Sequence, residues 1–389
     1  MGRKTKGRKI YKTKEKNYYG KTPLGKAFSV ALSVLLIGGL GFIGYSVAEP
    51  IVNYTKKKGD DTVNVSDTSD PSEKKGSGSE DSETAVYKAY ALKAADLKNI
   101  DALNAALDRI PAVTGIEFVE VPLKVSGGNI YYKSGVQLAS DCHAVQGSLV
   151  LSDIVTAIDD AGYKPAGLVS AFNDSLLPKL DKNTSYLVKT GEQWIDNTQE
   201  AGGKPWLTPY SSTSVNYIGD IVTEIASAGF KKIICSDISY PDFRKVDLEY
   251  LPDELADKKR FQVLTSAANL FYDRAVNYGS SLSVEISGTD ILKGNTDLID
   301  EPLYLNVKSL VVNINIDEIS KGVHTDATVY EFTGTAADKT AKFLELTKDK
   351  LKDYDKAVIR LTGTSVGVDE LLKAKEVITD YGYESFIIG

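Results

Sequence analysis

From residue 85 to the end of the chain, short runs of β-branched and aliphatic residues alternate with longer stretches of helical periodicity. Eight runs read as strands: 86–92, 115–121, 166–171, 232–237, 282–286, 309–314, 357–361 and 385–388. Between them, 151–162, 214–229, 261–279, 337–354 and 368–382 carry apolar residues at the spacing of amphipathic helices. Four of these helices run into Gly162, Gly229, Gly279 and Gly382, where glycine relieves the left-handed conformation at a helix C-terminus and lets the chain turn back into a sheet. The strands are apolar nearly throughout, as expected of parallel strands covered on both faces. Eight strand–helix units predict an α/β fold, a (β/α)8 TIM-like barrel over 85–389, with an open doubly wound sheet as the alternative.

Residues 1–84 follow a different pattern. Residues 27–48 contain no charged side chain. As a helix this stretch would rise about 33 Å, enough for a hydrocarbon core of about 30 Å. Ten Lys and Arg precede it in residues 1–26, against Glu15 alone. The positive-inside rule then predicts a cytoplasmic tail, a transmembrane helix over 27–48 and an extracellular remainder. A cleaved signal peptide is the competing reading, because Ser46-Val47-Ala48 offers small residues, but the apolar stretch exceeds the roughly 7–15 residues of a signal core. Gly39, Gly41 and Gly44 match the spacing of a dinucleotide fingerprint; inside an apolar span they read instead as close-packing positions of a membrane helix. Residues 49–84, rich in Ser, Asp, Glu, Lys and Gly, are expected to form a disordered linker.

Charge narrows the partners. Beyond residue 26 the chain carries 36 basic and 52 acidic residues, a net charge of −16. An acidic body repels phosphate backbones, so nucleic acid is not an expected partner; membrane and glycan are. Two cysteines, Cys142 and Cys235, and two histidines, His143 and His324, match no metal-site spacing, so neither metal nor cofactor is expected. The two thiols could pair in a disulfide outside the cell or stay free. Serine and cysteine triads are starved of histidine, and no P-loop, G-x-S-x-G or H-E-x-x-H is present.

Two long connections, 122–150 and 172–213, follow the second and third strands. In a barrel such loops build the C-terminal face, where active sites sit. They carry Tyr131, Tyr132, Trp194, Trp206 and Tyr210, and the next segment adds Tyr240 and Phe243. Aromatic faces of this kind suit a sugar-binding groove; they would equally pack the loops themselves.

Trp206-Leu207-Thr208-Pro209-Tyr210, followed by a helix, Gly229-Phe230, a strand and Tyr240-Pro241, resembles a family of glycoside hydrolase barrels first catalogued as a domain of unknown function. Tyr87-Lys88-Ala89-Tyr90, the 128–132 loop and 368–388 also look like their counterparts, so the resemblance extends over 85–389. The resemblance implies a carbohydrate ligand, yet several polar positions of the family depart. Its strand-4 Asp and Arg fall on Ser236 and Ser239, its strand-2 Asp on Pro122 with only the following lysine kept as Lys124, and its strand-3 Arg on Leu168. Glu120 shares the face of Pro122 one layer deeper. Glu285 falls where the family has a strand-5 Asp.

Glycoside hydrolysis commonly needs two carboxyl groups, about 5–5.5 Å apart in a retaining enzyme. The pair at hand is Asp237 and Glu285. Strand alternation points Asp237 away from the barrel interior unless the strand has bulged or already ended. Glu285 could instead be an ion-pair partner of Arg360. The preferred expectation is therefore a membrane-anchored, bacterial-type extracellular barrel that binds cell-wall or other polysaccharide with degenerate catalytic residues. Tyr132, Trp194, Trp206, Tyr210, Tyr240, Lys124 and Arg360 are its expected ligand-binding residues. An active glycosidase using Asp237 and Glu285 is the first alternative, and a structural or protein-binding surface module the second.

Overall fold

A computed structural model describes residues 86–389 except 113–114, 258–259, 295–306, 326 and 355. Eight parallel strands close into a barrel: β1 (Lys88–Ala91), β2 (Phe118–Lys124), β3 (Lys164–Ser170), β4 (Lys232–Ser236), β5 (Ser281–Ser287), β6 (Leu310–Asn315), β7 (Val358–Thr362) and β8 (Phe386–Ile388). Each pairs with its neighbours in chain order, and β8 closes on β1 with Ala89 opposite Ile387. The open-sheet alternative is thereby excluded. The longest described helix of each crossover is α1 (Ile100–Leu107), α2 (Leu151–Asp160), α3 (Ser212–Ser227), α4 (Phe261–Val276), α5 (Gly288–Lys293), α6 (Ala336–Leu351) and α7 (Val368–Asp380), with further short helices in several of the connections.

The alternation of strand side chains divides the core in two. Ala89, Ala166, Ile234, Val311, Val358 and Ile387 fill the barrel interior. The opposite faces pack against the helices, with Val119, Ile233 and Val312 in the same apolar layer as Ile154, Ile158, Ile221, Ile225 and Phe343. On α2, Leu151, Ile154 and Ile158 are buried at helical spacing, which is why that stretch forms a helix against the sheet. Gly162, Gly229, Gly279 and Gly382 all have φ between 77° and 102°. This is the left-handed conformation expected of them.

Strand β2 ends three residues later than the pattern suggested, because Pro122 lies within it. Proline cannot donate to a ladder and is accommodated at a bulge, and the β2–β3 register shifts between Pro122 and Lys124. Both cysteines are buried and free, so no Cys142–Cys235 disulfide forms. Among the described residues no helix is long and apolar enough to cross a membrane. The expected tail, span and linker, residues 1–84, lie outside the described residues.

Candidate functional site at the barrel mouth

Three inward positions on β2, β5 and β7 are charged: Glu120, Glu285 and Arg360. Arg360 donates from Nη1 and Nη2 to the two oxygens of Glu120 at 2.7 and 2.6 Å, and its Nε lies 2.5 Å from Oε2 of Glu285. All three side chains are 10% exposed or less. Charge at such depth is tolerated only when paired. Glu285 is nearest the mouth and also accepts from Nδ2 of Asn313 at 3.1 Å. Burial pushes its pKa above the ordinary carboxylate value; Arg360 opposes this, while Glu120 and Asp237 add to it. Arg360 is thus an internal counter-ion, which corrects its expected place on a ligand-binding surface.

Strand β4 ends at Ser236, one residue before Asp237. Asp237 has φ of 54°, and with His143 it is one of two non-glycine residues of positive φ among those described. Backbone N–H groups beyond β3 hold this turn: Ala171 donates to the carbonyl of Ser236 at 2.9 Å and Phe172 to that of Asp237 at 3.1 Å. The left-handed residue breaks the alternation, and the carboxylate turns toward inward-facing Ser170. Oδ2 accepts from the Ser170 hydroxyl at 2.5 Å and from that of Ser126 at 2.7 Å. Strain at a non-glycine left-handed residue persists only where surrounding bonds over-determine it.

Buried polar residues from the end of β2 and the β3 loop brace this turn. Lys124 is fully buried; its Nζ donates to the Ser170 carbonyl at 2.9 Å and pairs with Asp174 at 2.9 Å. Asp174 in turn accepts from the Leu176 N–H at 2.8 Å. Gly128, with φ of 106°, lets the β2 loop pass over this carboxylate, since a Cβ there would lie 2.5 Å from Oδ1 of Asp174. Lys124 is therefore a brace beneath the mouth, a correction to its expected contact with ligand. Asp174, Ser126 and Asn313 were missed. Ser170 was missed as well, although it continues the inward series of Ala166 and Leu168. Among the described residues no group of three or more His, Cys, Asp and Glu is arranged to hold a metal ion.

Residues 90–303 match the model of the family DUF4015, described as a putative glycosyl hydrolase domain. The chain belongs to that family. No curated protein matches the sequence. Among solved structures, the PgaB (BpsB) glycoside hydrolase domain from Bordetella bronchiseptica superposes with a TM-score of 0.57 at 11% identity, over 78% of this chain and 94% of that one. A hypothetical protein from Ruminiclostridium thermocellum gives 0.42 at 20% identity, over 50% and 96%. An α-galactosidase from Thermus thermophilus gives 0.46 at 11%, over 78% and 58%. At this identity the likeness to the PgaB domain shows a shared fold, the (β/α)8 barrel, and nothing of its activity. The family match runs from β1 to the segment before β6, a shorter stretch than the resemblance read from individual residues.

In this member of the DUF4015 family the loop aromatics divide by burial. Tyr132 is fully buried and donates from its hydroxyl to Glu224 on α3 at 2.7 Å. Trp194 packs edge-on against Phe243, with centroids 4.8 Å apart, and seals the β3 loop to the β4 loop. Tyr240 is buried and donates to the Arg260 carbonyl at 2.9 Å. These three pack the loops, which corrects their expected place in an open groove. Trp206 is half-buried, its Nε1 donating to Asp196, and Tyr210 is 42% exposed.

Proposed function

We propose that the barrel mouth hydrolyses glycosidic bonds, with Glu285 as the proton donor and Asp237 as the attacking carboxylate. The observation that carries this reading is the left-handed turn at Asp237, which removes the register objection raised by the sequence. Cys235 pairs with Val284, so Glu285 lies level with Ser236 and Asp237 follows one residue further along the neighbouring strand. Such strands lie about 4.8 Å apart, a spacing that suits a retaining mechanism. Glu285, its pKa raised by burial, would protonate the leaving oxygen while Asp237 bonds to the anomeric carbon. Glu285 would then take a proton from the water that displaces Asp237.

A second reading, a barrel that binds polysaccharide without turnover, is favoured by the contact of Arg360 with Glu285 and by Ser236, Ser239, Pro122 and Leu168 at polar positions of the family. Under either reading, the apolar span 27–48 and the basic tail before it support a membrane-anchored barrel displayed outside the cell. The test is reducing-sugar release by the full chain from wall and plant polysaccharides, beside Asp237→Asn and Glu285→Gln. Release abolished in both variants is expected. Binding without release, unchanged in both, would replace the catalytic reading with the second one.

A further inference from the structure

We infer that a cavity of about 370 Å³ between the β3 and β4 loops is a second carbohydrate site, built for a neutral sugar residue. It rests on the glycan reading above but not on turnover. Residues 183–211 form one wall and residues 252–255 the other, and none of the lining residues belongs to the Asp237–Glu285 cluster. The volume falls in the range of about 300–1,000 Å³ usual for small-molecule sites.

Its lining decides the chemistry. Tyr210 reaches solvent here, next to Leu187, Pro252 and Leu255, so one side of an occupant would meet an aromatic ring and aliphatic carbon. The electron-rich face of such a ring attracts the polarised C–H groups on the apolar face of a pyranose. Asn183 and Glu254 supply amide and carboxylate groups that can accept from, and in the case of Asn183 donate to, sugar hydroxyls. No Lys or Arg is among the described lining residues, and Glu254 would repel an anion, so uronates and phosphorylated sugars are disfavoured.

The aromatic platform is fixed in advance. The Tyr210 hydroxyl donates to the Glu254 carbonyl at 3.4 Å, and its ring lies 6.3 Å from that of Tyr240. Tyr240 is held under the Arg260 guanidinium, 4.7 Å from its centroid, as a cation–π pair. Nη1 of Arg260 donates to the Leu255 carbonyl at 2.7 Å. The two walls are thus tied together through the floor, so little ordering remains on binding.

The test is calorimetric titration of the full chain in the Asp237→Asn background with cellohexaose and chitohexaose, and with an oligogalacturonate as the anionic probe. At least one neutral hexaose should bind, about tenfold more weakly in Tyr210→Ala and within about twofold of the parent in Tyr210→Phe, which keeps the ring. The oligogalacturonate should not bind. Equal affinity in Tyr210→Ala, equal binding of the anionic probe, or no binding of either neutral hexaose would overturn the inference. Sugar release by the wild type is read separately. Release with Tyr210-independent binding keeps the catalytic reading and removes this site, and Tyr210-dependent binding without release does the reverse.

Discussion

Replacing Arg360 by Met removes the one cation between two buried carboxylates while keeping most of the side-chain volume. Glu120 loses both of its hydrogen bonds and Glu285 its ion pair, in a barrel interior where neither can reach bulk water. Breaking a buried pair by deleting one partner costs about 3–5 kcal/mol, because the remaining charge is left uncompensated. At about 2–4 °C per kcal/mol for a domain of this size, Tm should fall by about 6–20 °C at pH 7. The loss should also depend on pH. Glu285 already has a raised pKa, and without the guanidinium it rises further. A carboxyl whose folded pKa exceeds its unfolded value gives its full stabilisation below the unfolded value and loses it as pH rises through the folded one. The deficit of Arg360→Met should therefore be small near pH 4 and widen toward pH 8. Urea unfolding followed by circular dichroism across that range measures it. The triple variant Glu120→Leu/Arg360→Met/Glu285→Leu should recover most of the stability, since the desolvation cost leaves with the charges. A loss below about 1 kcal/mol, or one that does not change with pH, would refute the claim that the ion triad governs the interior.

Other outcomes follow from the same geometry. Lys124→Met should cost about 3–5 kcal/mol by stranding Asp174, whereas Lys164→Met, which breaks an exposed pair with Glu117, should cost less than about 1 kcal/mol; paired denaturation curves check the contrast. Asp237→Gly should be more stable than Asp237→Ala by about 1 kcal/mol, since alanine bears the left-handed backbone and glycine does not, and equal stability would contradict the φ at this turn. Burial pushes Asp290 up to about 6, with Lys293 opposing and Asp242 and Glu318 adding to it. Its contribution is present in full below the ordinary carboxylate range and is lost as pH rises through about 6. Asp290→Asn should then exceed the wild type by on the order of 1 kcal/mol at pH 8 and match it near pH 4, read from thermal melts.

Much of the architecture was legible because it is encoded locally. The apolar runs at 166–171 and 282–286 became β3 and β5, since a strand buried on both faces needs nothing else to declare itself. Gly162, Gly229, Gly279 and Gly382 ended their helices because the left-handed position is cheap for glycine wherever it occurs. Glu285 stood out for a related reason: a carboxylate in an apolar strand demands a partner, and Arg360 was a visible candidate. Glu120 was placed on the right face and one layer too deep to attract attention. Its bond to Arg360 spans 240 positions of sequence, and only closing the barrel brings the two together.

The orientation of Asp237 was decided by tertiary structure alone. Alternation within β4 sends its side chain outward; the N–H groups of Ala171 and Phe172, just past the end of the neighbouring strand β3, fix the turn that brings it in. Burial of the aromatics was likewise nonlocal. Tyr132 and Trp194 looked like ligand contacts because large rings in loops can face water or one another with the same sequence signature. Glu224, 92 residues from Tyr132, and Phe243 from another loop settled which. Periodicity reports which face of an element is apolar. What that face meets, and which way a residue just past a strand end turns, depends on partners the local pattern does not contain.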